Sequence, residues 1–114
     1  MGEYIPKFLF DALEACKHVR EFTKGVTFDQ YKVNELLKSA VERKLEIIGE
    51  ALNRIKHRDQ SHLLKIREWR DIIAFRNKLA HCYDHINPTL VWSIVVDDLD
   101  SLIQDLEAAL EEVG

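Results

Sequence analysis

The stretch RNKLAHCY, residues 76–83, places an arginine, a histidine and a tyrosine close together. An arginine can hold a phosphate through its N–H groups, while a nearby imidazole exchanges a proton close to neutral pH. RNA cleavage needs little more, because the substrate's own 2′-hydroxyl is the nucleophile. The site has to supply a base, an acid and a cation for the charged phosphorane. Arg76 and His81 are therefore candidate catalytic residues for a reaction that requires no metal ion.

Helical spacing limits how these residues can meet. Each residue advances about 100° round a helix, so Arg76 and Tyr83 lie nearly on one line, and Asn77 and His81 share the neighbouring line. Arg76 and His81 are about 140° apart, so they meet only if Arg76 curls round the helix or a second copy of the chain supplies the partner. The alternative is an ordinary helix end, because the helix dipole alone favours Arg and His there. For so short a motif this alternative is the commoner explanation.

Three further candidates are weaker. His81 and His85 have the i, i+4 spacing of helical metal ligands, but no third ligand has a defined spacing, so we do not expect a metal site. Asp98 follows the apolar line of the last helical segment, which predicts partial burial and a partner such as Arg76. Glu50 could support the same site or be a solvated carboxylate.

Apolar residues recur at helical spacing in four segments. The first ends near Gly25, and TFDQ at 27–30 is a capping box that opens the next stretch. The second runs from about 34 to 57, and a loop or short helical turn follows it. The third runs from about 67 to 83, and Asn87-Pro88 begins the fourth. This pattern predicts an all-α, antiparallel four-helix bundle in a single domain spanning 1–114.

Composition and charge narrow the class of protein. The chain of 114 residues is 46% hydrophobic and 32% charged with four glycines, which favours a folded, helix-rich domain over disorder. No apolar run reaches the length of a membrane span. Cys16 and Cys82 form no C-x-x-C pair, so a cytoplasmic location is expected.

Residues 38–85 carry eleven basic and seven acidic groups, whereas residues 86–114 carry seven acids and no Lys or Arg. Residues 38–85 could therefore present a basic surface, and residues 86–114 could present an acidic contact surface. The commoner explanation of such charge runs is that they are solvated helix faces.

Two stretches carry a resemblance to a known family. EIIGEALNRI at 46–55, followed by WRDIIAFRNKLAHCYDHINPTLVWSIVVDDLDSL at 69–102, resembles the HEPN superfamily and, within it, the HepT-like toxins. The resemblance covers nearly the whole chain in order, and the full R-x4-H-x-Y string in these flanks is specific. The chain departs from the family pattern at Glu68, Cys82 and Asp100, none of which is a motif residue.

The resemblance implies a four-helix bundle that forms a homodimer, so that two R-x4-H motifs face one cleft. It implies a metal-independent endoribonuclease without a cofactor, made as a toxin beside a small nucleotidyltransferase antitoxin with which it forms a hetero-oligomer. Arg76 would bind and polarise phosphate, His81 would be the acid–base group, and Asn77 would orient the motif. Tyr83 would receive AMP from ATP, with the magnesium ion held by the antitoxin.

Two other functions stay open. The chain could be a non-catalytic helical subunit that binds a nucleotidyltransferase, or an unrelated bundle with a chance motif. Intact Arg76 and His81 favour the ribonuclease, since a scaffold has no chemical need for both. The sequence leaves open whether tRNA or mRNA is cut.

Overall fold

The structure, a computed structural model, describes residues 4–81 and 84–113. All regular secondary structure in these ranges is helical. The helices are α1 (Tyr4–Thr23), α2 (Phe28–Lys32), α3 (Glu35–Asp59), α4 (Trp69–Ala80), α5 (Pro88–Ser93) and α6 (Leu99–Val113). A 3₁₀ turn (Gln60–Leu63) follows α3, and a π-helical segment (Ile94–Asp98) joins α5 to α6.

Contacts between helix ends show how the bundle is arranged. The guanidinium of Arg58, near the end of α3, lies 4.5 Å from the ring centre of Tyr4 at the start of α1. Arg20, near the end of α1, donates to Asp100 at the start of α6 over 2.6 Å. Helix α1 is therefore antiparallel to both α3 and α6. Helix α4 packs on α3, and α5 continues through the π-helical segment into α6 as the fourth rod. The predicted all-α four-helix bundle is confirmed.

The predicted helix starts and stops follow from local chemistry. Gly25 adopts φ +72° after α1, a conformation that costs glycine little. The Thr27 hydroxyl accepts from the Gln30 backbone N–H at 3.2 Å, and the Gln30 side chain accepts from the Thr27 backbone at 3.0 Å. The Asn87 side chain caps α5, with Pro88 at the first helical position. These three signals are confirmed.

Helix α4, from Trp69 to Ala80, is shorter than the sequence predicts. The Arg67 backbone N–H donates to Asp105 of α6 at 3.1 Å, and the Arg67 guanidinium donates to both oxygens of the same carboxylate. These bonds tie the connection before α4 to α6, and α4 begins at Trp69. At the other end, the His81 N–H bonds back to the Lys78 carbonyl, so the helix ends at Ala80.

The bundle core is continuous across the main helices. Its fully buried side chains include Leu9, Val19, Ile48, Leu52, Ile55, Ile66, Val91 and Leu106. Within the described ranges, no helix has both the length and the apolar character needed to cross a membrane.

Candidate functional site

The position of Arg76 is set by a close contact between α3 and α4. A Cβ atom built on Gly49 would lie 2.2 Å from the Arg76 Cβ, 2.8 Å from its Cγ and 3.1 Å from the Ile72 carbonyl oxygen. Only glycine leaves room for the base of the arginine side chain at this point. A glycine inside a helix costs about 0.5–1 kcal/mol relative to alanine, so α3 accepts a local penalty where Arg76 packs.

The Arg76 guanidinium is half-buried and poorly compensated. Its Nη1 donates to the Asn77 side-chain oxygen over 3.2 Å, so the structure brings these two motif residues together. Its Nε is buried and has no hydrogen-bond partner in the part of the chain that the structure describes. Among the same residues, no carboxylate forms an ion pair with Arg76. A buried N–H without an acceptor costs about 1–3 kcal/mol.

His81 lies at the same end of α4 but in a different environment. It is exposed and follows the last residue of the helix. Within residues 4–81 and 84–113, no hydrogen bond joins its ring to Arg76. Within the described residues, one chain therefore presents a clamped arginine and an exposed imidazole that do not contact each other through a hydrogen bond. The remaining motif position, Tyr83, and its neighbour Cys82 lie outside the described residues.

Asp98 does not occupy the place that the sequence suggests. It is partly buried, as expected, but it lines a cavity of about 290 Å³ together with Glu68 and Asp71. Burial raises the pKa of Asp98, and the nearby charges of Asp97 and Asp71 raise it further. No ion pair with Arg76 is formed among the described residues, because Asp98 faces the beginning of α4. Arg76 is five residues beyond Asp71, about 7.5 Å further along the helix.

Glu50 also faces away from the motif. It forms an ion pair with Arg54 on its own helix over 2.8 Å. Both side chains line a groove between α1 and α3 together with Lys7 and Asp11. The residue that contacts Arg76 is instead the preceding Gly49.

His85 lies beyond the end of α4 and anchors the segment that follows the motif. Its Nε2 is 2.7 Å from Glu35 and its Nδ1 is 3.1 Å from Glu42, both on α3. A protonated ring donates from both nitrogens. His85 therefore does not share a helix face with His81, although the two are spaced i, i+4 in the sequence. Within the described ranges, no three His, Cys, Asp or Glu side chains are grouped as a metal-ion site.

The anchor responds to pH in a defined direction. Hydrogen bonding to Glu42 raises the pKa of His85 above its usual 6.5, and Glu35 adds to this, while burial opposes it. The same contact with His85, assisted by Lys38, lowers the pKa of the Glu35 carboxyl. A raised histidine pKa means that the anchor stabilises the fold fully below pH 6.5. That contribution is lost as the pH rises through the pKa of the folded state.

Motif spacing predicts neither the role of Gly49 nor that of His85. A glycine inside an amphipathic helix of 25 residues is a signal for close packing, and it could have pointed to Gly49. No comparable signal exists for His85, whose partners are 43 and 50 residues away in the chain.

Comparison with known proteins gives a consistent result. A family model described as "Ribonuclease HepT-like" matches residues 12–109. A protein of Methanocaldococcus jannaschii named as a candidate RNase is 32% identical over 108 residues, covering 93% of this chain and 87% of that protein. Another protein of the same organism with the same description is 34% identical over 103 residues, covering 90% and 94%. A protein of Thermococcus cleftensis named as a probable ribonuclease HepT is 35% identical over 95 residues, covering 83% and 86%. No solved structure gives a significant match.

Proposed function

Because the chain belongs to the ribonuclease HepT-like family, we propose that it is the RNA-cleaving toxin of a toxin–antitoxin pair and that Arg76 and His81 perform the cleavage. The observation that supports this most directly is the state of Arg76. Gly49 makes room for its side chain, its Nε is buried, and no carboxylate among the described residues neutralises it. A rigidly held, uncompensated guanidinium is suited to binding a phosphate.

The proposed reaction is a transesterification within the RNA strand. An imidazole removes the proton of the 2′-hydroxyl, and the 2′-oxygen attacks the adjacent phosphorus. The bond from phosphorus to the 5′-oxygen breaks as a protonated imidazole donates a proton to that oxygen. The products are a 2′,3′-cyclic phosphate and a 5′-hydroxyl, so atoms and protons balance. Arg76 stabilises the negative charge that develops on the phosphorane.

We propose that two copies of the chain build this site. Arg76 lies against α3, whereas His81 is exposed and follows the last residue of α4. A homodimer with the two motifs facing one cleft would provide two His81 rings, one as the base and one as the acid. It would also place the Arg76 of one copy close to the Arg76 of the other.

We further propose that a nucleotidyltransferase antitoxin silences the toxin by attaching AMP from ATP to Tyr83, using its own magnesium ion. This rests on the R-x4-H-x-Y string, in which Tyr83 is two residues from His81. Each AMP adds at least one negative charge and considerable bulk, which would repel RNA from a cleft that depends on Arg76. The ribonuclease itself would use no cofactor.

The acidic end of the chain gives limited support to the other candidate, a non-catalytic subunit. Three of its seven carboxylates are engaged within the chain: Asp100 with Arg20, Asp105 with Arg67 and Glu112 with Lys65. These pairs connect α6 to the rest of the bundle. Less of its charge is therefore available to a partner than the sequence suggests.

The test is RNA cleavage in EDTA, after intact-mass measurement confirms that Tyr83 is unmodified. His81→Ala should lower the cleavage rate by about 10²–10⁴-fold, as expected for loss of a general acid–base group. Arg76→Ala should lower it by about 10²–10³-fold, through loss of charge stabilisation. His18→Ala is the matched control, because His18 is an exposed histidine on α1, and its rate should equal that of the wild type.

Each outcome of the cleavage assay supports one of the hypotheses. Cyclic-phosphate ends that depend on both motif residues would support the proposal. Cleavage that persists in His81→Ala would show that another group performs the chemistry. If no form cleaves total cellular RNA, the non-catalytic subunit becomes the better hypothesis.

A further inference from the structure

A groove of about 400 Å³ lies between α4 and the C-terminal part of α3 and reaches the motif at Asn77. Lys56 and Gln60 line it from the α3 side, and Trp69, Arg70 and Asn77 line it from α4. From Trp69 to Asn77 is eight residues, or about 12 Å along the helix. We call this feature the basic groove.

The charges of the basic groove all have one sign. Lys56 and Arg70 are exposed, neither forms an ion pair among the described residues, and no carboxylate lines the groove. Asn77, at its end, accepts a hydrogen bond from the Arg76 guanidinium. The groove therefore continues the positive charge of Arg76 along α4.

Two other cavities that border α4 are mainly acidic. One, of about 490 Å³, is lined by Glu35, Glu42, Glu46 and Asp84, with Arg43 and His85 among them. The other, of about 290 Å³, contains Glu68, Asp71 and Asp98, with Lys78. Acidic groups outnumber basic ones in both, so neither favours a polyanion. Of these three cavities, the basic groove is the one in which a nucleic acid strand meets cations without carboxylates.

The Arg70 side chain is held in place for contact with a phosphate. Its guanidinium lies 4.4 Å from the ring centre of Trp69, whose ring is buried and forms a fixed platform. Stacking leaves the N–H edge of a guanidinium free to donate, and it reduces the entropy lost when a ligand binds. Lys56 places a second cation on the α3 side of the groove.

We infer that the basic groove binds the backbone of the RNA strand beside the cleaved bond, with Lys56 and Arg70 each contacting a phosphate. This inference rests on the proposed function for its substrate. Its length of about 12 Å corresponds to about three to four nucleotides of a stacked strand, at about 3.4 Å each. The contacts are to phosphates, so the groove contributes affinity and register rather than base preference.

The test measures binding without turnover. A fluorescein-labelled single-stranded RNA of about 20 nucleotides is titrated, by anisotropy, into His81→Ala protein at several salt concentrations. Adding Lys56→Gln and Arg70→Gln should weaken binding at least tenfold. The slope of log K against log salt should become shallower by about 1.4, because each lost phosphate contact removes about 0.7.

Lys17→Gln with Lys24→Gln is the matched control, because both lysines are exposed and lie outside the groove while the charge change is the same. The control should bind RNA like the His81→Ala parent. Arg70→Lys separates charge from stacking: it should keep the salt slope and recover only part of the affinity. If Arg70→Gln does not fold, Lys56→Gln alone should change the slope by about 0.7.

The result that would overturn the inference is equal RNA binding by the groove variant and the control. An equal loss in both would also overturn it, because overall charge rather than this groove would then be responsible. Absence of RNA binding by His81→Ala protein would have the same effect. Failure of the proposed function has a different signature, since wild-type protein would then leave RNA uncut whether or not the groove binds it.

Discussion

Replacing Gly49 with alanine tests whether the contact between α3 and α4 positions Arg76. The new Cβ would begin 2.2 Å from the Arg76 Cβ, whereas ordinary contacts begin at 3.4 Å. The helices or the arginine must therefore move by about 1.2 Å. The nearest atoms are at the base of the Arg76 side chain and in the Ile72 backbone, and neither the Arg76 Cβ nor the Ile72 oxygen can rotate away. The adjustment therefore has to involve the helices themselves.

The expected effect on stability combines two terms of opposite sign. Overpacking in a well-packed interior costs about 1–3 kcal/mol. Alanine recovers about 1 kcal/mol of helix propensity relative to glycine. Gly49→Ala should therefore lower the free energy of unfolding by up to about 2 kcal/mol. Urea unfolding followed by circular dichroism, at fixed protein concentration, measures this difference.

The effect on cleavage should be larger than the effect on stability. A displacement of about 1 Å at a group that must meet the transition state can cost about 10²-fold in rate. The cleavage rate of Gly49→Ala should fall by about this factor under conditions in which the variant is fully folded. The measurement is the initial rate on one RNA substrate, with the folded fraction taken from the urea curve.

Gly25→Ala is the control, because its cost has a different origin. No atom lies within 4 Å of a Cβ built there, but its φ of +72° strains any residue with a side chain. It should lose about 1–2 kcal/mol of stability with no change in cleavage rate. If Gly49→Ala were as stable and as active as the wild type, the packing explanation for the placement of Arg76 would be wrong.

Three further predictions concern other parts of the chain. His85→Gln should destabilise the protein near about pH 6 but hardly at all near about pH 9, because the raised pKa makes the contribution of the anchor disappear as the imidazole deprotonates; equal destabilisation at both values in urea unfolding would contradict this. Tyr31→Phe should leave stability unchanged or raise it by about 1 kcal/mol, since the buried hydroxyl has no partner among the described residues; a lower urea midpoint would reveal one. In a Cys82→Ser background, Cys16 should react with a thiol reagent only on unfolding, because burial raises its pKa to about 12; rapid labelling of folded protein would contradict this.

The connections show where sequence reasoning succeeds and where it stops. The Thr27 capping box and the Asn87-Pro88 helix start depend on residues within one turn, so their types and spacing are enough to predict them. The connection before α4 is tied by Arg67 to Asp105, 38 residues away, and the sequence places the start of α4 about two residues before Trp69. The position of a residue relative to a helix that is distant in the sequence cannot be predicted from the local spacing of residue types.

The candidate site also contains features that the sequence predicts and features that only the packing of the helices decides. The types and order of Arg76, Asn77 and His81 are visible in the sequence, and so is the family resemblance that gives them roles. The suggested pairing of Arg76 with Asp98 depended on the relative position of two helices, and it is not formed among the described residues. The antiparallel packing places Asp98 opposite the beginning of α4, beside Glu68 and Asp71.

By itself the sequence determined the four amphipathic segments, their local caps and the residues able to perform phosphate chemistry, because helical periodicity and capping are short-range effects. Tertiary structure alone decided that Gly49 makes room for Arg76, that His85 joins two carboxylates of α3, and that cations without carboxylates line the groove beside Asn77. Each of these arrangements joins residues that lie on different elements. Their separation is fixed only when the helices pack, since side-chain volume and charge then determine which faces can approach.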